Sequence, residues 1–492
     1  MILSRKEMLD AEASAFSRGM EAADLMESAG RQMAGMASQF HPVPGVCRVF
    51  AGKGHNGGDV LVAARYLAAL GWEIAVENIF PESELAPLTC AQLSKLPSRS
   101  GQALPFRRPL LVLDGLLGIG ASGPPREPVA AAIHRINLLR TRSAAWVLSA
   151  DVPSGLDADT GLPANPCVVA DATMAMGFMK SGLVADSATA FVGRLAVARL
   201  PALIPSPTAG DPASVSCPED LRPTIPPRGF DTHKGLCGRV AVIAGSSGYT
   251  GAARLCSEAA VFGGAGLVTL FVPQEIYPIL AASAIPEVMV RPSDSLAEVL
   301  DSRWDAIAIG PGLGRSRDNE VVKIVKEAPC PCVVDADALN VISHLSHSSL
   351  FLKPPAPRLL TPHPGEMERL APRAGRDRRT WAREFVESFP VTLLLKGART
   401  IIAENGRSVV FNSTGHPGMA TGGMGDVLTG VCAALLAQGI APRESAILGA
   451  WLCGHAAEIA ILKGASQESL TAHDVATALG ASFNDVRTEH VF

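Results

Sequence analysis

A single carboxylate, Asp426, lies between a glycine-rich stretch and an apolar segment in the second half of the chain. Residues 415–430 have the sequence GHPGMATGGMGDVLTG, and the apolar positions after Asp426 recur at helical spacing. The pattern predicts a helix whose first turn carries Asp426. Glycines admit phosphate oxygens close to the N–H groups of a helix N-terminus, so this stretch could bind a polyphosphate or stabilise an oxyanion, with Asp426 as general base. Alternatively, the aspartate only caps the helix.

Lys396 is a second residue that could contact phosphate groups. It ends a predicted strand of leucine and β-branched residues, and a glycine follows it. A flexible cation there could reach nucleotide phosphates, whereas a solvated surface lysine is the alternative. His363, between two prolines, and the segment GPGLG at residues 310–314 are equally open to two interpretations, as ligand contacts or as ordinary loop residues.

Polar side chains in the first half of the chain follow three predicted apolar strands. They are Asn56, Asp59, Asp114, Asp151 and Ser154. The carboxyl ends of parallel strands meet at one edge of a sheet, so these side chains are expected to converge. Amide, carboxylate and hydroxyl oxygens suit an alkali or alkaline-earth cation better than zinc. For Asp59 or Asp114 alone, capping of a helix or turn is the alternative.

Two α/β domains are predicted to position these residues. Residues 8–37 have the periodicity of two helices separated at Gly19. The strand CRVFA, a loop at residues 52–59 and a helix ending at Gly71 form one of several strand–loop–helix units, which predict a parallel sheet in each half. Residues 201–227 are rich in proline and weakly patterned, so we predict a linker between the domains there.

Composition restricts the class of protein. The 492 residues include 43 Lys and Arg against 47 Asp and Glu, a net charge of −4, so no basic field indicates a nucleic-acid partner. The charged N-terminal stretch lacks the apolar region of a signal peptide, and no charge-free apolar run has the length of a membrane span. We therefore predict a cytoplasmic protein without membrane contact, and a homo-oligomer. Its ten cysteines lack CxxC spacing and are predicted to be reduced core residues.

Motifs along nearly the whole chain resemble, in order, those of the bifunctional NAD(P)H-hydrate repair enzymes, in which an epimerase domain is fused to an ADP-dependent dehydratase domain. In the second half they are HKGLCGRVAVIAGSSGYTGAARL, GPGLG, DADALN, LTPHPGEM, LKGART and GMATGGMGDVLTG. In the first half, GKGHNGGD resembles the family's GxGNNGGD loop, with His55 in place of an asparagine. The resemblance implies an α/β chain with a Rossmann-like parallel-sheet epimerase domain at residues 1–215 and a ribokinase-like dehydratase domain at residues 216–492.

For the second half, the resemblance implies that Asp426 is the base that deprotonates the ring hydroxyl of an NAD(P)H hydrate. ADP would phosphorylate that hydroxyl, and departure of phosphate would restore NAD(P)H and leave AMP, with Mg²⁺ assisting. The hydrate would also contact Ala252, Gly312 and His363. The implied ADP-binding residues are Lys396, Gly397, Ala398, Arg399, Thr400 and Gly425. Met424 stands where the family commonly has a serine, which removes one hydroxyl donor from this site.

For the first half, the resemblance implies a K⁺ site and a hydrate site. The K⁺ ligands would be Asn56, Asp114 and Ser154. The hydrate would be surrounded by His55, Asn56, Gly57, Gly58, Asp59, Gly118, Ile119, Gly120, Ala121, Ser122, Gly123, Pro124 and Asp151. Epimerisation needs a proton or water to leave and return on either face of the hydrated carbon, and Asp114 is the predicted general base.

Two other interpretations compete with this one. The chain could be a ribokinase-like kinase of a small alcohol with an N-terminal ligand-binding module, although its second half opens with a motif like that of the dehydratases. Alternatively, the first half could be a binding or scaffolding module whose catalytic loops have decayed, but its polar set, from Asn56 to Ser154, is intact.

Overall fold

The computed structural model describes residues 1–77, 79–96, 109–206, 213–345, 348–488 and 492. The chain divides into two compact units, the first comprising Met1–Cys217 and the C-terminal Phe492, the second beginning at Pro218. This division falls inside the proline-rich segment predicted as a linker, of which residues 207–212 lie outside the described part.

The first unit has a parallel sheet at its centre. Its strands are β1 (Ile2–Leu3), β2 (Val46–Ala51), β3 (Glu73–Glu77), β4 (Leu110–Gly115), β5 (Trp146–Ala150), β6 (Ala172–Met176), β7 (Met179–Lys180), β8 (Arg194–Ala198) and β9 (Ser214–Val215). Its helices are α1 (Arg5–Ser17), α2 (Ala22–Phe40), α3 (His55–Ala69), α4 (Pro87–Leu93), α5 (Val129–Ser143) and α6 (Thr189–Val192). Six strands pair in parallel in the order β3-β2-β4-β5-β6-β8, and β1 pairs with β7. This is the predicted Rossmann-like arrangement, in which strand ends meet at one edge.

Helices α1 and α2 confirm the two helices predicted before the first long strand. Gly19 lies between them with a φ of 88°, a left-handed conformation that favours glycine. Every residue of β4 is buried, as expected for a parallel strand covered on both faces.

The loop predicted at residues 52–59 is shorter in the structure, because α3 already begins at His55 with Gly54 as its N-cap. Glycine has low helix propensity, which is why the sequence suggested a loop. Packing overrides that preference: a methyl group at Gly57 would lie 2.1 Å from Gly52 O, and one at Gly58 would lie 2.4 Å from Met26 Cε. The glycines let the first turn of α3 approach its neighbours closely.

The second unit has a larger sheet. Its strands are β10 (Arg239–Ile243), β11 (Leu267–Pro273), β12 (Val288–Ser293), β13 (Ala306–Ile309), β14 (Cys332–Val334), β15 (Arg358–Leu360), β16 (Thr392–Leu395), β17 (Ile401–Glu404) and β18 (Val410–Phe411). Its helices are α7 (Pro218–Leu221), α8 (Thr250–Phe262), α9 (Tyr277–Ser283), α10 (Asp318–Glu327), α11 (Ala336–His344), α12 (Pro364–Leu370), α13 (Arg378–Ser388), α14 (Met424–Ala437), α15 (Pro442–Leu462) and α16 (Ala472–Arg487).

These strands follow the order β12-β11-β10-β13-β14-β15-β16-β17-β18. The pairings from β12 to β16 are parallel, whereas β16–β17 and β17–β18 are antiparallel. The strand predicted to end at Lys396 is β16, and a second strand, β17, follows it directly. A parallel partner needs a crossover of a dozen or more residues, so the short turn at 396–400 produces a hairpin instead.

In the described part of the chain, α15 is the one helix that is long and apolar enough to cross a membrane. Of the 18 most apolar consecutive residues of this helix, 89% are buried inside the fold. That burial is typical of a core helix. The ten cysteines are all free thiols, and Cys90 and Cys217 are only half-buried, so the prediction of core cysteines holds for the other eight.

Candidate active sites

In the second unit, the carboxylate of Asp335 joins two side chains beside the start of α14. Its Oδ1 accepts a hydrogen bond from Lys396 Nζ at 2.7 Å, and its Oδ2 accepts one from Thr429 Oγ1 at 2.7 Å. Asp335 follows β14, Lys396 follows β16 and Thr429 lies on α14. A methyl group at Gly425 would lie 3.2 Å from Lys396 Nζ, so this ammonium group sits directly over the first turn of α14. The carboxyl ends of two strands and a helix N-terminus thus meet here.

Asp426 occupies the predicted place in the first turn of α14. Its pKa is raised to about 7, mainly by burial, with smaller increases from the charges of Asp335 and Asp337, while Lys396 opposes the shift. A carboxylate with a pKa near neutrality can exchange a proton at physiological pH, which is the property a general base needs.

The N-terminus of α14 also contributes backbone N–H groups beside Lys396. Gly423 is the N-cap with a φ of 89°, and Val427 N donates to Gly423 O at 3.1 Å. Met424, Gly425 and Asp426 therefore carry the backbone N–H groups that a helix leaves without partners in its first turn. Donors of this kind, beside a lysine ammonium group, suit the oxygens of a phosphoryl group.

Lys396 is charged at neutral pH in these surroundings. Burial lowers its pKa, but the charges of Asp335 and Glu366 outweigh burial and leave the pKa raised. In the turn that follows, Gly397 and Ala398 are exposed, whereas the side chain of Arg399 is buried. The exposed part of the predicted nucleotide segment is therefore mainly backbone.

Gly312 and Ala252, both predicted to contact the hydrate, lie together. A methyl group at Gly312 would lie 2.9 Å from the Ala252 Cβ, and the φ of Gly312 is 62°. Its carbonyl oxygen accepts a hydrogen bond from Ser246 Oγ at 2.8 Å. Nearby, Gly314 N donates to Asp337 Oδ2 at 2.8 Å, and Asp337 acts on Asp426 through its charge. The GPGLG loop is therefore tied to the surroundings of the base.

His363 caps α12. Its Nδ1 accepts hydrogen bonds from Gly365 N at 3.0 Å and from Glu366 N at 3.3 Å, and the backbone N–H of His363 donates to Glu366 Oε2 at 2.8 Å. About half of its side chain is exposed. The cap fixes the imidazole, and its Nε2 lies 3.4 Å from Glu366 Oε1. Contact of His363 with a hydrate stays a prediction.

In the first unit, the three predicted K⁺ ligands are joined through Leu117. Asn56 Nδ2 donates to Leu117 O at 2.8 Å, and Leu117 N donates to Ser154 Oγ at 2.9 Å. Ser154 Oγ in turn donates to Asp114 Oδ1 at 2.6 Å. Amide, carbonyl, hydroxyl and carboxylate oxygens are the hard donors that an alkali cation prefers, so this set fits K⁺. Among the described residues, no three His, Cys, Asp or Glu side chains cluster as metal ligands.

The surroundings of Asp114 do not favour the role of general base predicted for it. The residue is completely buried. Its two oxygens accept hydrogen bonds from Ser149 Oγ at 2.8 Å, Ser154 N at 2.9 Å, Ser154 Oγ at 2.6 Å and Leu116 N at 3.3 Å. Burial raises its pKa, and these hydrogen bonds oppose the shift. A carboxylate held by this many donors is organised to position its neighbours.

Asp151 belongs to a second group, with Lys180. Lys180 is fully buried, forms an ion pair with Asp151 and donates to Met176 O at 2.8 Å. Asp151 also accepts from Met176 N at 3.1 Å and has a φ of 66°, which is rare for a residue with a side chain. The charges of Asp151 and Lys180 act on Asp59 and on Glu12. The five polar residues expected to converge therefore fall into two groups.

The predicted hydrate loop at 118–124 is held by α1. Arg5 Nη2 donates to Gly120 O at 2.9 Å, and Arg5 Nη1 donates to Ala121 O at 3.2 Å. Ile119 is buried, while residues 120–124 are exposed. His55, at the start of α3, is exposed too.

Several residues of these sites were not singled out from the sequence. They are Asp335, Thr429, Lys180, Glu12 and Arg5. Asp335 opens the motif DADALN after a strand, and Lys180 interrupts an apolar stretch, so a local signal existed for both. Glu12 and Arg5 lie on an ordinary amphipathic helix, and only the folded unit shows their neighbours.

Fold and site together define a ribokinase-like α/β unit with Asp426, Lys396 and Asp335 grouped at the start of α14, preceded by a Rossmann-like unit. The chain is similar to the solved structure of a ribokinase-like superfamily protein from Enterococcus faecalis V583, at 27% identity and a TM-score of 0.50, covering 57% of this chain and 99% of that one. It is also similar to an ADP/ATP-dependent NAD(P)H-hydrate dehydratase from Bacillus subtilis, co-crystallised with ATP/Mg²⁺, at 28% identity and a TM-score of 0.48, covering 55% of this chain and 97% of that one.

Sequence comparison identifies the family. Residues 240–479 match the family described as NAD(P)H-hydrate dehydratase, and residues 22–182 match the YjeF-related protein N-terminus. The bifunctional NAD(P)H-hydrate repair enzyme Nnr of Moorella thermoacetica is 37% identical over 452 residues, which cover 83% of this chain and 82% of that protein. The corresponding enzyme of Gloeobacter violaceus is 36% identical, with 89% of each chain covered.

The chain belongs to the bifunctional NAD(P)H-hydrate repair enzymes. The predicted family and the predicted α/β fold class are confirmed, and the matches favour two enzyme activities over a small-molecule kinase with a binding module.

Proposed function

We propose that the chain repairs hydrated nicotinamide nucleotides at two separate sites. The first unit interconverts the R and S epimers of the hydrate, and the second unit dehydrates the S epimer with ADP, giving NAD(P)H, AMP and phosphate. One observation carries the second half of this proposal: Asp426, with a pKa of about 7, lies in the first turn of α14 beside the Lys396–Asp335 pair. The family matches of both halves of the chain support the first half of the proposal, the epimerisation.

Asp426 would take the proton from the hydrate's ring hydroxyl as that oxygen attacks the terminal phosphoryl group of ADP. AMP leaves, and the hydroxyl becomes a phosphate ester. Loss of inorganic phosphate from that carbon and of a proton from its neighbour then restores the ring double bond. Phosphorylation matters because hydroxide is a poor leaving group and phosphate is a good one.

Lys396 and the open N–H groups of α14 would stabilise the negative charge of the phosphoryl group during transfer. Their positions are fixed in advance, Lys396 by Asp335 and the N–H groups by the helix. Mg²⁺ bound with the nucleotide would neutralise further charge. Ala252, Gly312 and His363 are proposed to contact the hydrate, and residues 396–400 with Gly425 the nucleotide.

In the first unit, Asn56, Asp114 and Ser154 are proposed to hold K⁺ beside the hydrate. This assignment is supported by the hard oxygen donors around Ser154. Replacing K⁺ by a larger organic cation in the assay buffer should slow epimer interconversion and leave dehydration of the S epimer unchanged. A cytoplasmic location and a homo-oligomeric state are proposed as well.

The proposed dehydration is tested by supplying the S hydrate with ADP and Mg²⁺. The absorbance of the reduced nicotinamide should return, with one AMP and one phosphate formed for each NAD(P)H. A phosphorylated nucleotide that accumulates and never yields NAD(P)H would instead identify a kinase. Running the reaction with ATP in place of ADP shows which nucleotide the site prefers.

A further inference from the structure

Two carboxylates of the first unit, Glu12 and Asp59, differ from Asp114 in their surroundings. Neither side chain accepts a hydrogen bond from any residue that the structure describes, whereas Asp114 accepts four. Both are partly exposed, whereas Asp114 is completely buried. Partly buried carboxylates without protein donors have oxygens free to contact a ligand.

The two carboxylates lie in one charged group. Glu12 is on α1, Asp59 is on α3, and the charges of both Asp151 and Lys180 act on each of them. The ammonium group of Lys180 already contacts Asp151 and Met176 O. Three carboxylates therefore face a single lysine that one of them has already paired, so ionising both Glu12 and Asp59 is unfavourable. Burial, together with these like charges, raises the pKa of both residues, in keeping with a group in which one carboxylate is ionised and the other neutral.

The same group borders the residues expected to hold the hydrate. Asp59 ends the motif GKGHNGGD, and Asp151 follows β5. Helix α1, which carries Glu12, also carries Arg5, whose guanidinium group holds the backbone of Gly120 and Ala121. A ligand against the 118–124 loop is therefore next to the helix that presents Glu12.

We propose that Glu12 and Asp59 are the catalytic proton-transfer pair of the first unit, with the Lys180–Asp151 ion pair positioning them. This inference rests on the proposed epimerase function. The hydroxyl-bearing carbon of the hydrate is bonded to the ring nitrogen. The ionised member of the pair takes the hydroxyl proton, the carbonyl forms as the carbon–nitrogen bond breaks, and the neutral member protonates the nitrogen.

Rotation of the open chain and closure on the opposite face reverse both proton transfers. The pair then again holds one proton, and no water, electron or outside reagent is consumed. A pair with one ionised and one neutral member serves both directions equally, as an epimerase must, because either member can give or take a proton.

The test uses the full chain with the R hydrate, without ADP, and measures the appearance of the S hydrate by chromatography. Glu12→Gln and Asp59→Asn should each slow interconversion by about 10²-fold or more, the usual contribution of an acid or base. The matched control is Asp10→Asn, an exposed aspartate on the same helix, which should retain the wild-type rate. ADP-dependent dehydration of the S hydrate should be unchanged in all three.

The outcomes separate the two levels of the proposal. A wild-type chain that leaves the R hydrate at its spontaneous rate contradicts the epimerase function itself. Active wild type with full activity in both Glu12→Gln and Asp59→Asn overturns the assignment of the pair. A first unit that unfolds at lower temperature in a variant would indicate a structural role, so thermal unfolding is measured beside activity. The pH dependence of the Glu12→Asp variant, which should keep measurable activity with a displaced optimum, distinguishes a proton-transfer group from a structural one.

Discussion

Lys396 Nζ lies 2.7 Å from Asp335 Oδ1, and only 1% of the surface of Asp335 is exposed. The pair does two things at once for Asp426. It holds the lysine over the first turn of α14, where a phosphoryl group would bind, and it places a second negative charge near the base. Asp335 raises the pKa of Asp426 and Lys396 lowers it, after burial has made the largest contribution.

Replacing Asp335 by asparagine should move the acid limb of the dehydration pH profile to lower pH. The variant removes the charge that raises the pKa of Asp426 and leaves Lys396 free to lower it further. It should also reduce stability by about 3 to 5 kcal/mol, because one partner of a mostly buried ion pair is lost. Asp301→Asn, at an exposed position of the same unit, is the control and should change neither quantity. An unmoved acid limb would show that Asp335 has no electrostatic effect on the base.

The dehydration rate of the unmodified chain should itself follow the ionisation of Asp426. With a pKa of about 7, kcat/KM should fall about tenfold for each pH unit below 7 and reach a plateau above it. Asp426→Asn should lose roughly 10²- to 10⁴-fold in rate and retain epimer interconversion. A variant that keeps the wild-type rate, or loses both activities while still folded, would contradict the assignment of Asp426 as the base of one of two separate sites.

Asp426→Asn should also stabilise the second unit at neutral pH. An unfolded aspartate ionises near its ordinary pKa, whereas the folded one keeps its proton up to about pH 7. Between these values the folded state binds more protons, so stability falls as pH rises and the full cost is present above pH 7. Asparagine does not ionise, so the substitution removes this cost and raises the free energy of unfolding by up to about 4 kcal/mol, as calculated from the pKa shift. Thermal unfolding should show that the substitution increases stability more at pH 8 than at pH 5. Equal increases at the two pH values would refute the raised pKa of Asp426.

The glycine-rich stretch offers a matched pair of alanine substitutions. A methyl group at Gly425 would lie 3.2 Å from Lys396 Nζ, whereas one at Gly422 would have no atom within 4 Å. The added methyl group of Gly425→Ala should therefore occupy space in the proposed phosphate-binding site and weaken ADP binding. Gly422→Ala should bind ADP as the wild type does. Isothermal titration with ADP and Mg²⁺ measures both. Equal affinities would place the nucleotide elsewhere.

Sequence patterns predicted those parts of the two sites whose positions depend on residues nearby in the sequence. Asp426 lies in the first turn of its helix because glycine and apolar spacing on either side determine where α14 begins. The meeting of Asn56, Asp114 and Ser154 followed from the rule that parallel strand ends share an edge, and the hydrogen bonds through Leu117 bear it out. In both cases the sequence pattern specifies the backbone that positions the residue.

Contacts between distant residues could not be predicted in the same way. Lys396 and Asp335 are 61 positions apart, and nothing near either residue indicates the other. Glu12 lies on a helix that resembles any amphipathic helix, and its charged neighbours come from α3 and from the segments after β5 and around β7. The glycines at residues 52–59 predict a loop because glycine disfavours helices, whereas close packing at Gly57 and Gly58 requires glycine in the first turn of α3.

The most direct test of two working sites in one chain supplies a mixture of both hydrate epimers with ADP, Mg²⁺ and K⁺. The recovered absorbance of reduced nicotinamide is then compared with the total hydrate added. Two active sites predict conversion of all the hydrate, faster than spontaneous epimerisation allows. Recovery that stops when the S epimer is exhausted, and proceeds afterwards only at the spontaneous rate, would contradict the account by leaving the first unit without catalytic activity.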